Sequence, residues 1–200
     1  MKLYYSPIAC SMSPHIVLRE SGLPFSLVKV DLGTKKTETG ADFNAICPKS
    51  QVPALEMENG EILTEGPAIV QYVADRVPEK KLAPAAGTIE RYRLAEALNM
   101  ICSEIHKNFG QLFPTTTPDA YKPVLIQKIV DRYAFIETQI KGDFLLGNDF
   151  TVADAYLFTT MNWAKFSNID IAQWPKLSAF QQRVAARPSV QAVLKAEGLI

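Results

Sequence analysis

The pattern of hydrophobic and polar residues changes period several times over the first part of the chain, as it does where short strands alternate with helices. Residues 2–5 form a short apolar and aromatic run, and residues 25–30 alternate apolar with polar side chains, so both runs predict strands. Between them, Ser13 and Pro14 indicate the start of a helix that ends at Gly22. The predicted order of this stretch is β-α-β.

A hairpin and another helix are predicted next. Residues 54–57 and 61–64 are short apolar runs that flank an Asn-Gly dipeptide, a strong hairpin signal, and residues 67–77 have helical periodicity. The polar residues 31–44 predict a loop with room for one helical turn. Two strands separated by a helix should be parallel, and the hairpin should add an antiparallel strand at one edge of their sheet.

Beyond residue 88 the periodicity is helical throughout. One predicted helix carries an apolar stripe at spacings of four, three and four, formed by Leu94, Leu98, Ile101 and Ile105. A second predicted helix ends at Gly142. Thr151 and Asp154 have the spacing of a capping box and open a helix predicted to reach Ala164, and two more helices are predicted over residues 175–187 and 189–197.

These elements predict an α+β N-terminal domain with the order βαβ-ββα, followed by an all-α helical-bundle domain. We place the first domain at residues 1–80, a linker at residues 81–87 and the second domain at residues 88–200.

Composition narrows the class of protein. Among 200 residues, 21 lysines and arginines balance 21 aspartates and glutamates, which argues against nucleic-acid binding because that needs clustered positive charge. No apolar run reaches about 18 residues, and Pro7 precedes any apolar stretch of signal-peptide length, so we expect neither a membrane span nor secretion. Three cysteines at irregular spacing favour a reducing compartment, and we expect a cytoplasmic protein.

Several chemistries lack the residues they need. There are two histidines, no pair of cysteines lies two residues apart, and none of the ten glycines falls into a dinucleotide or phosphate-binding motif. We therefore expect no metal and no nucleotide cofactor. A thiol, a hydroxyl, one or two carboxylates or a bound organic molecule must supply the chemistry.

Cys10 is the leading candidate, because it lies between the first predicted strand and the first predicted helix. A thiol at a helix N-terminus faces backbone amides that favour its thiolate form. Because Ser13, and not a second cysteine, stands three positions later, Cys10 could form a mixed disulfide with an external thiol. It has no neighbouring thiol that could displace that external thiol again. The alternative is that Cys10 is a small buried filler, as free cysteines often are; its place after the first strand favours a function.

Two further segments could bind a peptide-like ligand. The Val52-Pro53 bond could be cis or trans, and a cis bond would turn the Val52 backbone outward for strand-like pairing. Glu65 lies just before a predicted helix, where its carboxylate and the helix-end amides could receive both ends of an amino-acid group. The alternatives are a trans proline at a strand start and an ordinary acidic residue in a first turn.

A polar stripe on the second domain contains one of the two histidines. Asn99, Ser103 and His106 are spaced four and three apart, so we expect them on one helix face, with Lys107 adding charge nearby. Such a stripe is usually solvated surface, but His106 could donate to a thiolate or take up a proton near neutrality. We interpret His15 as structural.

In order and spacing, the motifs resemble those of a glutathione transferase, most closely of the bacterial beta class. The resemblance covers essentially the whole chain. It is carried by residues 1–7, Cys10-Ser11, residues 51–55, 63–69, 104–107 and 150–156, and residues 196–199.

This resemblance implies a thioredoxin-like N-terminal domain that binds glutathione, an all-α domain that supplies the acceptor-substrate site and dimer contacts, and a homodimer. It implies a cis bond before Pro53, with the Val52 backbone pairing to the cysteinyl part of glutathione. The other implied glutathione contacts are Cys10, Lys35, Glu65, Gly66, Asn99, Ser103, Glu104, His106 and Lys107. By the same resemblance Thr151 and Asp154 have a structural role in folding, and Gly66 stands where the family often has serine.

The implied function is conjugation of the glutathione thiolate to electrophiles such as aryl or alkyl halides and epoxides, a detoxification activity. The catalytic residues would be Cys10 and His106, while Tyr5 and Ser11 are other possible thiolate helpers. Two alternatives remain: a glutaredoxin-like thiol-disulfide oxidoreductase that carries a mixed disulfide on Cys10, and a non-enzymatic binding or regulatory protein on the same fold.

Overall fold

The computed structural model describes residues 1–200 and divides the chain into two compact units. The first unit comprises residues 1–82 together with residues 187–200, and the second comprises residues 83–186. The expected range of 88–200 for the second domain is therefore wrong at its C-terminal end. Helical periodicity shows that a segment is helical, but it does not show in which core the apolar face of that helix is buried.

The first unit is built on a five-stranded sheet in which the parallel pair and the hairpin are both confirmed. Its strands are β1 (Lys2–Tyr5), β2 (Ser26–Asp31), β3 (Lys36–Thr37), β4 (Ala54–Glu56) and β5 (Ile62–Thr64), in the order β3-β2-β1-β4-β5. β1 pairs with β2 in parallel and with β4 in antiparallel, so Leu3 has Leu27 on one side and Leu55 on the other. The strand β3 was not predicted, because two residues within a polar stretch carry no periodic signal.

Nine α-helices, together with one π-helical turn and three short 3-10 helices, complete the two units. The α-helices are α1 (Met12–Ser21), α2 (Phe43–Ile46), α3 (Gly66–Asp75), α4 (Ile89–Met100), α5 (Lys107–Leu112), α6 (Lys122–Gln139), α7 (Val152–Met161), α8 (Pro175–Ala185) and α9 (Pro188–Ala196). None of them combines the length and the apolar character needed to cross a bilayer.

The first helix begins earlier than its sequence signal indicates. Ser11 is the N-cap of α1, and the Ser13 amide already donates to the carbonyl of Cys10, so the expected start at Ser13-Pro14 is wrong by about one half-turn. The predicted end is confirmed, because Gly22 follows α1 with φ of +72°, a backbone conformation that favours glycine. α1 packs against α3 and α9 within the first unit.

In the second unit α4 and α5 form one continuous helix through a π-helical turn, Ile101–His106. The Lys107 amide donates to the carbonyl of Cys102, five residues earlier. The predicted apolar stripe is confirmed, since all of its members are buried: Leu94, Leu98, Ile101 and Ile105. The sequence pattern did not indicate the π turn.

The predicted ends of α6 and α7 differ most from the structure. α6 ends at Gln139 rather than at Gly142, and Gly142 is needed for a different reason: a Cβ there would lie 2.6 Å from the carbonyl oxygen of Gly147. α7 ends at Met161, and Ala164 begins a short 3-10 turn. The predicted capping box at the start of α7 is confirmed: the Thr151 amide donates to Asp154 Oδ2 at 2.7 Å.

Candidate active site

The loop between β1 and α1 carries Cys10 and is closed by a buried serine. The Ser11 hydroxyl accepts from the Ser6 amide at 3.1 Å and donates to the Ser6 carbonyl at 3.1 Å. Between these residues, Ile8 has φ of +61°, a left-handed conformation that a β-branched residue adopts only when neighbouring contacts hold it there. The loop conformation is thus set by contacts on both sides of Cys10.

A carboxylate from the end of the chain holds the same loop. Glu197 Oε2 accepts from the Ile8 amide at 3.0 Å, while Oε1 lies 2.9 Å from Nδ1 of His15. The side chains of His15 and Glu197 are both fully buried. His15 is therefore structural, as expected, whereas Glu197 was missed because nothing in the sequence pairs it with a loop at the opposite end of the chain.

The Cys10 thiol lies beside the proline that the resemblance singled out. Cys10 Sγ donates a hydrogen bond to the carbonyl oxygen of Val52 at 3.2 Å. The Val52-Pro53 peptide bond is cis, which confirms the expectation drawn from the resemblance. Cys10 is half-buried, so its thiol is neither a fully enclosed filler nor an open surface group.

The start of α3 lies next to the same proline. Glu65 is the N-cap of α3 with φ of +69°, and Gly66 is its first residue. A Cβ at Gly66 would lie 3.8 Å from Pro53 Cγ. Pro67, the second residue of α3, has no amide hydrogen. In the first two positions of this helix, Gly66 is therefore the residue whose backbone amide can donate to a ligand.

Two lysines and the segment before Val52 complete this part of the first unit. Lys35 Nζ donates to the Ser50 carbonyl at 3.0 Å, and Lys49 Nζ lies 2.8 Å from Oε1 of Glu65. The structure therefore brings Cys10, Lys35, Val52, Glu65 and Gly66 to the immediate surroundings of residues 49–53. Sequence reasoning missed Lys49 and Ser50, whose polar character alone does not distinguish them from other loop residues.

Burial excludes Ser11 and Tyr5 as groups that could stabilise a thiolate. Ser11 has no exposed surface, and its hydroxyl is engaged with the Ser6 backbone. Tyr5 is buried with its ring 5.9 Å from that of His15, and burial, followed by the nearby Glu197 charge, raises the pKa of its phenol. The expectation that Tyr5 or Ser11 could activate a thiol is corrected, because both side chains belong to the interior of the first unit.

In the second unit the predicted polar stripe is divided between two faces. Ser103, Glu104 and Lys107 line a cleft of about 430 Å³, in which Glu104 pairs with Arg132 at 2.8 Å. His106 does not line this cleft, and neither does the exposed Asn99. The π turn is the physical reason, because its extra residue per turn rotates His106 away from the face that α-helical spacing predicts.

His106 instead lies among aromatic side chains of the second unit. Its Nδ1 is 2.6 Å from the hydroxyl of Tyr156, and its ring centroid is 5.0 Å from that of Trp163. Trp163 also contacts Phe109 and Phe113, with centroid distances of 5.7 and 5.8 Å. Phe113 is 49% exposed, so this cluster presents an aromatic face to its surroundings.

This architecture, with a cis-proline beside the Cys10 thiol on a thioredoxin-like sheet and an all-α second unit, is that of a glutathione transferase. Residues 9–76 match the glutathione S-transferase N-terminal domain, and residues 94–188 match the C-terminal domain.

Individual relatives extend this similarity to the whole chain. It is 46% identical to glutathione S-transferase GstA of Escherichia coli O157:H7, with 100% of both chains covered. It is also similar to the structure of a bacterial beta class glutathione S-transferase from Sphingomonas chungbukensis (46% identity, 100% of both chains, TM-score 0.96). A sphingomonad glutathione S-transferase complexed with glutathione has the same identity, coverage and TM-score. The chain therefore belongs to the glutathione S-transferase family and is an enzyme of that family.

Proposed function

We propose that the enzyme binds glutathione on its first unit and transfers the glutathione thiolate to small hydrophobic electrophiles, aryl halides foremost. The observation that carries this proposal is the cis Val52-Pro53 bond, with the Cys10 thiol on one side and the start of α3 on the other. The relative complexed with glutathione, at 46% identity over the whole chain, supports the same ligand.

The proposed pose uses the polar groups around residues 49–53. The Val52 backbone pairs with the cysteinyl part of the tripeptide as a strand would, and Lys35 binds the glycyl carboxylate. Glu65 receives the γ-glutamyl ammonium, while the Gly66 amide receives the γ-glutamyl carboxylate at the positive end of α3. Glu65 must then leave Lys49, and this exchange is inexpensive because both side chains are more than half exposed, where an ion pair contributes about 0–1 kcal/mol.

Cys10 acts in this proposal as a hydrogen-bond donor rather than as a nucleophile. A thiol that points at the Val52 carbonyl makes a favourable contact when protonated, whereas a thiolate there would face oxygen lone pairs. The glutathione sulfur therefore attacks the electrophilic carbon, a new C–S bond forms, and the halide leaves with the bonding electron pair. On glutathione binding the Cys10 thiol turns from the Val52 carbonyl to the glutathione sulfur, and this donor, together with His106 in our assignment, favours the anionic form of that sulfur before the attack.

The second unit supplies the acceptor site in this proposal. The half-exposed Phe113, stacked on Phe109 at 6.2 Å and edge-on to Trp163, offers a flat apolar surface for an aromatic electrophile. Asn99, Ser103, Glu104 and Lys107 are assigned supporting contacts to glutathione. We further propose a cytoplasmic homodimer with a detoxification role, and the exposed Ile89 and Tyr92 on α4 support a partner surface.

Replacing Cys10 by alanine tests the assignment of the nucleophile. With a chlorinated nitrobenzene as acceptor, we expect Cys10→Ala to keep part of the conjugation rate, because glutathione itself attacks. Deglutathionylation of a mixed disulfide should disappear. Loss of conjugation with glutathione binding intact would contradict glutathione as the nucleophile and favour the thiol-disulfide alternative. Failure of the wild-type chain to bind a glutathione-affinity column would favour the non-enzymatic alternative.

A further inference from the structure

The imidazole of His106 is held by a tyrosine hydroxyl that the proposed mechanism does not use. His106 Nδ1 lies 2.6 Å from the Tyr156 hydroxyl, and the two rings meet edge to face at 83° with their centroids 5.8 Å apart. Trp163 contacts the same imidazole at 5.0 Å. His106 is thus restrained in both position and ring orientation.

Both partners of this hydrogen bond are fixed by their helices. Tyr156 is 2% exposed and belongs to α7, in which every residue from Val152 to Met161 is buried and whose start is fixed by the capping box. His106 is the last residue of the π turn, where the backbone register of the long helix is set by the bond from the Lys107 amide to Cys102. π turns inside α-helices occur frequently at functional sites.

The chemistry of the two groups indicates which atom carries the proton. His106 Nδ1 and the Tyr156 hydroxyl are hydrogen-bonded at 2.6 Å, and the donor in this bond depends on the imidazole tautomer. A phenol hydroxyl is a strong donor and a weak acceptor, because its oxygen lone pairs are delocalised into the ring, whereas the unprotonated nitrogen of a neutral imidazole is a strong acceptor. The pairing therefore favours donation from the phenol to the ring nitrogen. Nδ1 is then the acceptor, and the proton of the neutral imidazole is on Nε2.

We propose that Tyr156 is a positioning residue that holds neutral His106 in its Nε2–H tautomer. This inference rests on the proposed function for its consequence: an imidazole fixed in this tautomer offers a hydrogen-bond donor at Nε2, which can stabilise the negative charge of the glutathione thiolate or of the leaving group. The opposite tautomer would offer a lone pair at Nε2 and would repel the same charge.

Nitrogen-15 NMR of the full-length wild-type protein tests the tautomer without any substrate. The chain has two histidines, so its long-range imidazole spectrum contains two rings. The Cδ2 proton couples more strongly to Nε2 than to Nδ1, which assigns each nitrogen. We expect a protonated Nε2 and a bare Nδ1 for His106. His15 is an internal reference, because its Nδ1 lies 2.9 Å from Oε1 of Glu197, a contact in which we expect the ring nitrogen to be the donor. A protonated Nδ1 on neutral His106 would overturn the proposal.

Tyr156→Phe keeps the ring and removes the donor, and Tyr133→Phe is its matched control. Tyr133 is another fully buried tyrosine of the second unit, whose hydroxyl donates to the Thr160 carbonyl at 3.4 Å. We expect Tyr156→Phe to move the His106 nitrogen signals toward a mixture of tautomers while the His15 signals stay in place. Tyr133→Phe should leave both histidines unchanged. Unchanged His106 signals in Tyr156→Phe would overturn the proposal.

The kinetic readout separates positioning from a loss of structure. With a saturating aryl halide, Tyr156→Phe should lower kcat roughly fivefold to tenfold, the effect of one lost hydrogen bond, and leave the KM for glutathione within about twofold. An equal loss of kcat in Tyr133→Phe, or a change in Tyr156→Phe confined to KM, would overturn it. If the wild-type enzyme does not conjugate, the proposed function fails, and the NMR result on the wild-type chain still decides the tautomer.

Discussion

Replacing Gly66 by serine tests the proposed site for the γ-glutamyl carboxylate. Gly66 begins α3, and a Cβ built there meets its nearest outside atom, Cγ of Pro53, at 3.8 Å, an ordinary van der Waals contact. The backbone of Gly66 is not in the left-handed region, in contrast to that of Glu65. A serine therefore fits without displacing its neighbours, and its hydroxyl adds a donor beside the Gly66 amide.

The expected gain in affinity follows from the exposure of this position. A hydrogen bond to a charged group contributes about 1.5–3 kcal/mol in favourable settings. At the half-exposed start of α3, competition from water reduces the gain to about 1 kcal/mol, which corresponds to a roughly fivefold lower Kd for glutathione. Isothermal titration calorimetry at one temperature and ionic strength measures this difference directly.

Gly66→Ala is the matched control, because it introduces the same Cβ and the same loss of backbone freedom without a hydroxyl. Both variants should raise Tm slightly, since each restricts the unfolded chain. The Kd for glutathione should fall in the serine variant and stay at the wild-type value in the alanine variant. If the serine variant binds glutathione no more tightly than the alanine variant, the carboxylate does not bind at the start of α3, and the proposed pose is wrong.

Three other perturbations have defined outcomes. Asp154→Ala should lower the free energy of unfolding in urea by about 2–4 kcal/mol, because buried amides of Leu145 and Thr151 lose their acceptor. Phe113→Ala should raise the KM for an aryl halide and leave that for glutathione unchanged. Burial alone would raise the pKa of Glu20, but hydrogen bonds from Arg187 and Ser189 outweigh it and hold this pKa below 4.5. The ionised Glu20 carboxylate should therefore stabilise the fold fully above pH 4.5, and this contribution should be lost as the pH falls through the lowered pKa of Glu20. In acid titrations followed by circular dichroism, Glu20→Gln should make the free energy of unfolding depend less on pH over that range.

Most of the sheet and of the helices could be predicted, because their signals are local. The two strands of the parallel pair, the Asn-Gly hairpin and the apolar stripe of residues 94–105 are each indicated by residues a few positions apart, and the parallel pairing follows from the helix between its strands. What could not be predicted depends on packing partners. α9 has ordinary helical periodicity, and only the structure shows that its buried Val190 and Val193 belong to the first unit. The strand β3 exists because β2 is beside it, since its own two residues favour no particular conformation.

The candidate site divides in the same way. Cys10, Val52 and Glu65 were indicated by their places at strand and helix ends, where backbone groups are available to a ligand. The polar stripe of the second unit was expected on one face, and the π turn divides it, since helical spacing predicts a face only while the helix remains α-helical. Tyr156 was not singled out, because within a largely apolar helix a buried tyrosine is as well explained by packing as by a hydrogen bond.

The fully buried pair of His15 and Glu197 shows why the loop that carries Cys10 depends on both ends of the chain. A buried hydrogen-bonded pair contributes little net stability, because desolvation of both groups offsets the bond, but removing one partner leaves an uncompensated buried polar group. Glu197 also accepts from the Ile8 amide, so one carboxylate fixes α1 and the left-handed residue of the loop together. The Arg187–Glu20 pair holds the beginning of the same C-terminal segment, with Nε 2.7 Å from Oε1. Residues 1–82 alone lack both contacts, and the conformation around Cys10 is therefore complete only when residues 187–200 have folded onto them.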